Sequence, residues 1–232
     1  MPHQKVSIII PIYNERSTIE QVLDEVKKAP VLNLEKEVIL VDDFSSDGTR
    51  QLLQGLNDPT FRIFYQNQNF GKGAALHAGF QAATGDIAVI QDADLEYDPS
   101  ELEKVLRPFL ESDAKVVYGS RYLNPSQGLG FWHSLFNKLF TNVANLLIGQ
   151  KITDIMTCYK AFDRGVLDRV MPKLQSQRFG FEPEVTAKIS KSGYKITEVP
   201  ITYHPRTKNE GKHMNFKGQI ESLLALLKYT LL

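Results

Sequence analysis

Asp92, Asp94, Glu96 and Asp98 recur at every second position in IAVIQDADLEYDPSELE, residues 87–103. Counted from Asp92, oxygen-bearing side chains fall at positions 1, 3, 5, 7, 9 and 12, with Ser100 ninth and Glu103 twelfth, which is the ligand spacing of an EF-hand calcium loop. That loop needs glycine at its sixth position and a helix before it. Tyr97 stands sixth, Pro99 follows two residues later and a β-branched run precedes, so the calcium-loop reading is set aside. The cluster divides in two instead. Asp98-Pro99-Ser100-Glu101 reads as a helix start, with Asp98 as N-cap and Pro99 at the first helical position. Asp92 and Asp94 remain at the end of a strand, two apart, so extended geometry sends both carboxylates to one face. Two carboxylates that close repel unless a cation screens them. Mg²⁺ or Mn²⁺, hard ions that keep waters and grip phosphate oxygens, suits the pair; the competing reading is a metal-free cap beside a solvated loop.

Other polar loops offer matching chemistry. Glu15 and Asp43 supply acceptors, and Tyr13 a flat face, of the kind a base and a ribose need, although Asn14 and the SSDG stretch also make ordinary turns. NFGKG lacks the spacing of an ATPase phosphate loop, since Ala74 and Ala75 follow Gly73. Its glycines still permit close backbone approach at a helix start, where the dipole favours an anion. Lys72 reaches a bound anion or a nearby carboxylate, or stays solvated.

The elements that position these loops alternate. VSIII, EVILVD, RIFYQ, IAVIQ and KVVYG read as strands, and the first, second and fourth are apolar enough to be buried on both faces. Helical patterns lie between them over 17–28, 49–56, 73–84 and 99–110. Such alternation predicts an α/β fold with a mostly parallel sheet flanked by helices, and in such sheets ligands sit beyond the carboxyl ends of the strands. PIYNE, DDFSSDG, QNQNFGKG and DADLE each follow a strand, so four polar loops share one rim. The second half holds an aromatic-rich helical stretch, FWHSLFNKLFTNVANLLIG, a TDIMTCYKAF segment, a helix around EPEVTAKISKSG, a strand KITEVPITYH, a basic PRTKNEGKH and a last helix. With no repeat or linker, 1–232 is expected to form one domain, whose regular alternation runs to about residue 119.

The 232 residues, 42% apolar and 23% charged, suffice for a substantial core. Lys plus Arg and Asp plus Glu each number 27, which argues against nucleic acid as a partner. The single cysteine, Cys158, excludes an internal disulfide, and MPHQKVSIIIP lacks the features of a secretory signal, so a cytoplasmic setting is expected. No apolar run reaches the ~18 residues of a spanning helix.

VSIIIPIYNE, VDDFSSDGT, NFGKGAALHAGFQAATGD and DADLE, in this order at strand ends, resemble the nucleotide-binding half of family 2 glycosyltransferases, which have the GT-A fold. GSRY, TDIMTCYKAF and RFGFEPEVTAKISKSGYKITEVPITYHPRTKNEGKH narrow the resemblance to the dolichol-phosphate mannose synthase-like branch, whose members move a sugar from a nucleotide sugar to a polyprenyl phosphate. The likeness covers nearly the whole chain and implies 1–119 as a Rossmann-like nucleotide-sugar-binding half and 120–232 as an acceptor-binding half with interfacial helices. It implies that Pro11, Tyr13 and Glu15 border the nucleotide, that Val41 and Asp43 wall its other side, and that Lys72, Asp92 and Ala93 join the donor site. Asp94 and Glu96 are then the direct ligands of Mg²⁺ or Mn²⁺, and Asp94 serves catalysis. Arg121, Arg206 and Lys212 match family positions for the donor diphosphate and acceptor phosphate, with 205–213 as a mobile lid. Asp154 matches an acidic family position, and two readings stand for it: a base, or an organiser of Arg121 and other cations. Family members often carry an acidic residue near Met156, a departure that bears on the acceptor site.

A GDP- or UDP-sugar donor, such as GDP-mannose or UDP-glucose, and a dolichyl or undecaprenyl phosphate acceptor follow from the resemblance, with inversion at the sugar. A phosphate acceptor is ionised near neutral pH and needs no base. The alternative is a soluble glycan or small-alcohol acceptor. A lipid acceptor requires membrane contact. Phe131, Leu135, Leu139 and Val143 form one helical stripe with Trp132 and Phe136 beside it, and FKGQIESLLALLKYTLL adds a terminal apolar stretch. Core burial is the usual fate of such stripes; two together suggest a surface for the cytoplasmic membrane face or a membrane-protein partner.

Overall fold

A computed structural model describes residues 3–124, 131–206 and 216–231. The first strand β1 (Lys5–Ile12) is followed by α1 (Ile19–Lys28), β2 (Glu35–Asp42), α2 (Thr49–Gly55), β3 (Phe61–Tyr65), α3 (Lys72–Ala82) and β4 (Ile87–Ile90). Then come α4 (Leu102–Glu111), β5 (Val116–Ser120), α5 (Phe131–Ile148), β6 (Lys160–Asp163), α6 (Arg164–Val170), α7 (Phe181–Lys191), β7 (Thr197–Pro200) and α8 (Phe216–Leu231). One sheet carries seven strands in the order β3-β2-β1-β4-β6-β5-β7, so strands from both halves of the chain share it. All pairings are parallel except those of β6, which runs antiparallel to β4 and β5. KAFD carries no strand alternation strong enough to announce β6, which exists because two parallel neighbours leave a gap for it.

Period-2 geometry explains why the inner strands read as continuous apolar runs. Ile8 and Ile10 face one core with Val38, Leu40, Val89 and the inner sides of α1 and α4. Ile9 faces the other with Ile39, Ala88, Leu76 and Phe80 of α3, and Phe181 of α7. Gly79 lets α3 lie close on the sheet, since a Cβ there would fall 2.3 Å from Ile9 Cγ2. Phe140 and Ala144 of α5 pack with Leu226 of α8 over Ile152 and Ile155 in a third, smaller cluster.

The sheet order sends the chain from β1 outward to β2 and β3, then back across to β4. The loops after β1 and β4 therefore separate at a switch point, where open α/β sheets hold their ligands. Asn14, Phe44 and Leu95, in the loops after β1, β2 and β4, all adopt positive φ without being glycine. Strained backbone of this kind concentrates at functional sites.

Candidate active site

The helix start in the opening motif forms as its residues dictate. Asp98 Oδ1 accepts from the Ser100 amide at 2.8 Å, and Pro99 opens a short 3₁₀ turn that leads into α4. The loop before it is fixed from below. The buried Gln91 amide nitrogen donates to the carbonyls of Asp92 and Tyr97, both at 3.1 Å, and its oxygen lies 2.5 Å from the Tyr159 hydroxyl. Asp92, Ala93, Asp94 and Glu96 are thereby presented to a cavity of about 440 Å³ at the carboxyl ends of the strands.

Pro11, Tyr13, Glu15, Asp43, Lys72, Arg121 and Arg206 line the same cavity. The structure thus brings together most of the residues singled out in the sequence. Three are placed otherwise. Val41 is fully buried in the core beneath α3, because its neighbours on the strand take the opposite face. Asp154, also fully buried, stands behind Arg121 and does not line the cavity. Lys212 lies outside the described residues, as does most of the basic stretch expected to form a lid.

Arg206 organises the acidic side of the cavity. Its Nη1 and Nη2 donate to the two oxygens of Glu15 at 3.0 and 3.1 Å, and Nη2 also donates to Asp94 Oδ2 at 3.1 Å. Its backbone amide donates to Glu96 Oε1 at 3.0 Å, while the Tyr203 hydroxyl donates to Glu96 Oε2 at 2.8 Å. Burial, with the charges of Asp92 and Glu96, pushes the Asp94 carboxyl above its ordinary range, and Arg206 only partly offsets this. Around Asp94, two neighbouring acids oppose ionisation and one arginine favours it. Among the described residues no group of three carboxylate, histidine or cysteine side chains forms a ready-made metal cage. Asp94 and Glu96 nevertheless fit an ion of the Mg²⁺ type, which is held by one or two carboxylates and completes its shell with water and phosphate oxygens.

Asp92 is paired separately. Lys72 Nζ lies 2.7 Å from Asp92 Oδ1 and 3.0 Å from Cys158 Sγ, so Lys72 reaches a carboxylate rather than solvent. Asp43 is occupied by backbone: Oδ1 accepts from the Phe70 amide at 2.9 Å and Oδ2 from the Gly71 amide at 2.7 Å. Gly71 has φ of 104°, and a Cβ there would meet Arg178 Cγ at 2.5 Å, so glycine is required to fold this turn against the cavity wall. Each Asp43 oxygen retains a lone pair for a further donor.

Arg121 follows β5. Its Nε and Nη2 donate to Asp154 Oδ2 and Oδ1 at 2.7 and 2.8 Å, its backbone amide donates to the same carboxylate, and its guanidinium stacks 5.0 Å over the Tyr203 ring. Asn137 of α5 donates a further bond to Asp154 Oδ1 at 2.9 Å. Burial opposes ionisation of Asp154, but Arg121 outweighs it and holds the carboxyl below its ordinary value. Met156 also lines the cavity, as do Arg178, Phe179 and Tyr203. The last three stand in motifs that carried the resemblance, yet nothing in their local pattern marks them as cavity residues; tertiary approach of the loop before α7 and the chain after β7 brings them in.

Beside this site, α5 turns Asn137, Thr141 and Asn145 inward with Phe140 and Ala144. Asn137 is buried, and Asn145 exchanges bonds with the backbone of Ile152 at 2.7 and 3.1 Å. Leu135, Leu139, Val143 and Leu146 are left exposed, Leu146 at 85%. Leu223, Leu224 and Leu227 of α8 are exposed as well. Among the described residues no helix is long and apolar enough to cross a membrane.

Residues 7–171 match the family model for glycosyl transferase family 2. A dolichol-phosphate mannosyltransferase of Pyrococcus furiosus is 29% identical over 211 residues, covering 90% of this chain and 59% of that protein. A polyprenol monophosphomannose synthase of Mycolicibacterium smegmatis is 31% identical over 216 residues, covering 88% of this chain and 79% of that protein. An undecaprenyl-phosphate 4-deoxy-4-formamido-L-arabinose transferase of Yersinia pestis is 32% identical over 73% of this chain and 52% of its own length. The chain thus spans a little over half the length of the first and third of these relatives. Among solved structures, glucosyl-3-phosphoglycerate synthase from Mycobacterium tuberculosis with Mg²⁺ and UDP superposes at a TM-score of 0.74. That match covers 99% of this chain and 80% of that chain at 19% identity, a likeness of fold alone, and the fold is the GT-A arrangement expected from the motifs. By the extent of the family match, which includes every loop that builds the acidic side of the cavity up to Cys158, the chain belongs to glycosyl transferase family 2.

Proposed function

We propose that this chain transfers a hexose from a nucleoside diphosphate sugar, GDP-mannose or UDP-glucose, to a polyprenyl phosphate at a membrane surface. One observation carries the reading: a cavity lined by Glu15, Asp92, Asp94 and Glu96 together with Arg121 and Arg206 is tied to α5 and α8, and both helices expose leucines. The tie to α5 runs through Asn137 and Asp154 behind Arg121, and that to α8 through Ser222, which donates to the carbonyl of the lining residue Phe179. Carboxylates and cations in one cleft suit a diphosphate donor with its cation and a phosphate acceptor. Leucines facing outward suit the acyl boundary of a bilayer, where a polyprenyl chain resides.

In this reading Tyr13, Glu15 and Asp43 bind base and ribose, with Pro11 and Ala93 as backbone walls. Asp94 and Glu96 hold Mg²⁺ or Mn²⁺, which when bound supplies Lewis-acid neutralisation of charge on the departing diphosphate. Arg206, paired with acids in the free protein, turns to the donor phosphates, and Lys72 holds Asp92 in place. Lys212 belongs to the same basic set by its sequence position. Arg121 faces the acceptor phosphate, since a guanidinium fixed by Asp154 on one edge presents its other edge in a set direction.

A phosphate oxygen of the acceptor attacks the anomeric carbon from the face opposite the diphosphate. The new C–O bond forms as the bond to the diphosphate breaks, and configuration inverts. The attacking oxygen is already anionic, so no base is needed. Asp154 has both oxygens engaged by Arg121 and Asn137, which supports an orienting role over that of a base.

The test is sugar transfer from labelled GDP-mannose and UDP-glucose to a short polyprenyl phosphate in detergent. Transfer abolished by chelator and by Asp94→Ala is expected. Transfer to a soluble glycan or alcohol, with none to lipid phosphate, would overturn the acceptor assignment.

A further inference from the structure

The FEPEV stretch at the start of α7 contains two buried carboxylates with different partners. Glu184 is structural: its oxygens accept from the amides of Gln175 and Ser176 at 2.8 and 2.6 Å and pair with Lys188 at 2.5 Å. Glu182, 5% exposed, has no such arrangement. Among the described residues its one ion pair is with Lys72, whose Nζ lies 3.9 Å from Glu182 Oε1. Lys72 is the residue that grips Asp92 at 2.7 Å.

One ammonium thus sits between two acids. Asp92 lines the cavity, and Glu182 lies beneath the lining. A buried carboxylate without strong partners is costly, so its presence calls for a compensating role. Beneath it a second buried cation, Lys160, is tied off by the carbonyls of Ile155 and Thr157 and stacks over Tyr118 at 4.4 Å. Lys160 also attracts Glu182, but its hydrogen bonds go to those carbonyls, and among the described residues Lys72 is the cation within ion-pair distance of Glu182. Without it, nothing anionic would draw the Lys72 ammonium away from the cavity, and it would move toward Asp92 and the space above.

We propose that Glu182 is a positioning residue for the donor site: it anchors Lys72 from below and so fixes the height and direction of the Asp92 carboxylate. This rests on the reading that the cavity takes a nucleoside diphosphate. Glu182 touches no donor atom and acts through Lys72 alone, which predicts energetic coupling between the two positions.

The experiment is titration calorimetry of GDP and UDP with Mn²⁺, on the full chain, for the unmodified protein, Glu182→Gln, Lys72→Met and the double variant. Glu182→Gln is expected to weaken nucleotide binding about tenfold, the effect of misplacing one charge-assisted contact. In the Lys72→Met background the same change should weaken it by less than about twofold, because the route of action is gone. Glu182→Asp should recover most of the affinity; a purely structural loss would not follow charge in this way. If Glu182→Gln fails to fold, the double variant, which removes both charges, and Glu182→Asp carry the comparison. Equal weakening in both backgrounds, or none in either, would overturn the role of Glu182 alone. An unmodified protein that binds neither nucleotide would overturn the donor site and this inference together.

Discussion

Arg206 Nη2 donates to Asp94 Oδ2 across 3.1 Å, and the same guanidinium spans both oxygens of Glu15. Arg206 and Asp94 are 112 positions apart, and their contact places a protein cation where the proposed reading puts a metal ion and a diphosphate. The guanidinium thus supplies counter-charge to Glu15 and Asp94. In the proposed reading, binding is an exchange of these partners.

That exchange has a measurable consequence. Arg206→Ala removes the guanidinium that Glu15 and Asp94 share, and breaking a mostly buried pair costs about 3 kcal/mol. In chelator, Tm should fall by roughly 6–12 °C for a chain of this size. Mn²⁺ should restore a larger part of that loss than it adds to the unmodified protein, since it fills the vacated role. Differential scanning calorimetry with and without Mn²⁺ checks this. An identical Mn²⁺ increment in both proteins would count against it.

Asp154→Asn addresses the orienting role of the buried acid. It leaves Arg121 buried and uncompensated, with an expected loss of about 3 kcal/mol or more in stability and reduced transfer at every pH. The shape of the pH–rate profile should stay the same. Loss of the acid limb in that profile, where rate rises as a general base gives up its proton, would instead identify Asp154 as the base.

Acid stability should depend on Glu37. Burial opposes its ionisation, but hydrogen bonds from Ser7, the Thr84 amide, Arg62 and the Thr84 hydroxyl outweigh it and hold its pKa at about 2, against 4.5 unperturbed. A folded-state pKa below the unfolded one means that this contribution is complete above pH 4.5 and is lost as pH falls toward 2. Glu37→Gln should lower stability near neutrality and flatten its decline across that window in urea titrations at stepped pH. An unchanged slope would contradict the assignment.

The inverted face of α5 predicts a separation of stability from membrane contact. Leu139 and Leu146 are 59% and 85% exposed. Replacing either with Asp should change stability by no more than about 0.5 kcal/mol. Binding to phospholipid vesicles should weaken about tenfold for each, the worth of one leucine removed from an apolar boundary. Co-sedimentation measures it, and unaltered partition would exclude this face as the membrane contact.

Much of this arrangement was legible before the fold was known. The runs VSIII, EVILVD and IAVIQ could only be strands buried on both sides, and their polar successors had to share a rim, which is where Glu15, Asp43, Asp92 and Asp94 stand. Local chemistry also predicted the Asp98 cap. What escaped was decided by tertiary approach. β6 depends on pairing between β4 and β5, and the Arg206 clasp joins segments far apart in the chain. Val41 was expected beside the nucleotide, but strand alternation turns it into the core under α3. The stripe of α5 follows the expected period, yet periodicity alone could not say that its apolar side faces outward. That depends on Asn137 and Asn145 finding partners inside.

The most direct test of the central claim is anomalous diffraction from crystals grown with Mn²⁺ and a nucleoside diphosphate. The account predicts one Mn²⁺ peak at about 2.1 Å from carboxylate oxygens of Asp94 and Glu96, shared with phosphate oxygens, and an Arg206 side chain moved off Asp94 onto the diphosphate. A nucleotide bound in the cavity with no Mn²⁺ at those two residues, and Arg206 still seated on Asp94 and Glu15, would contradict it.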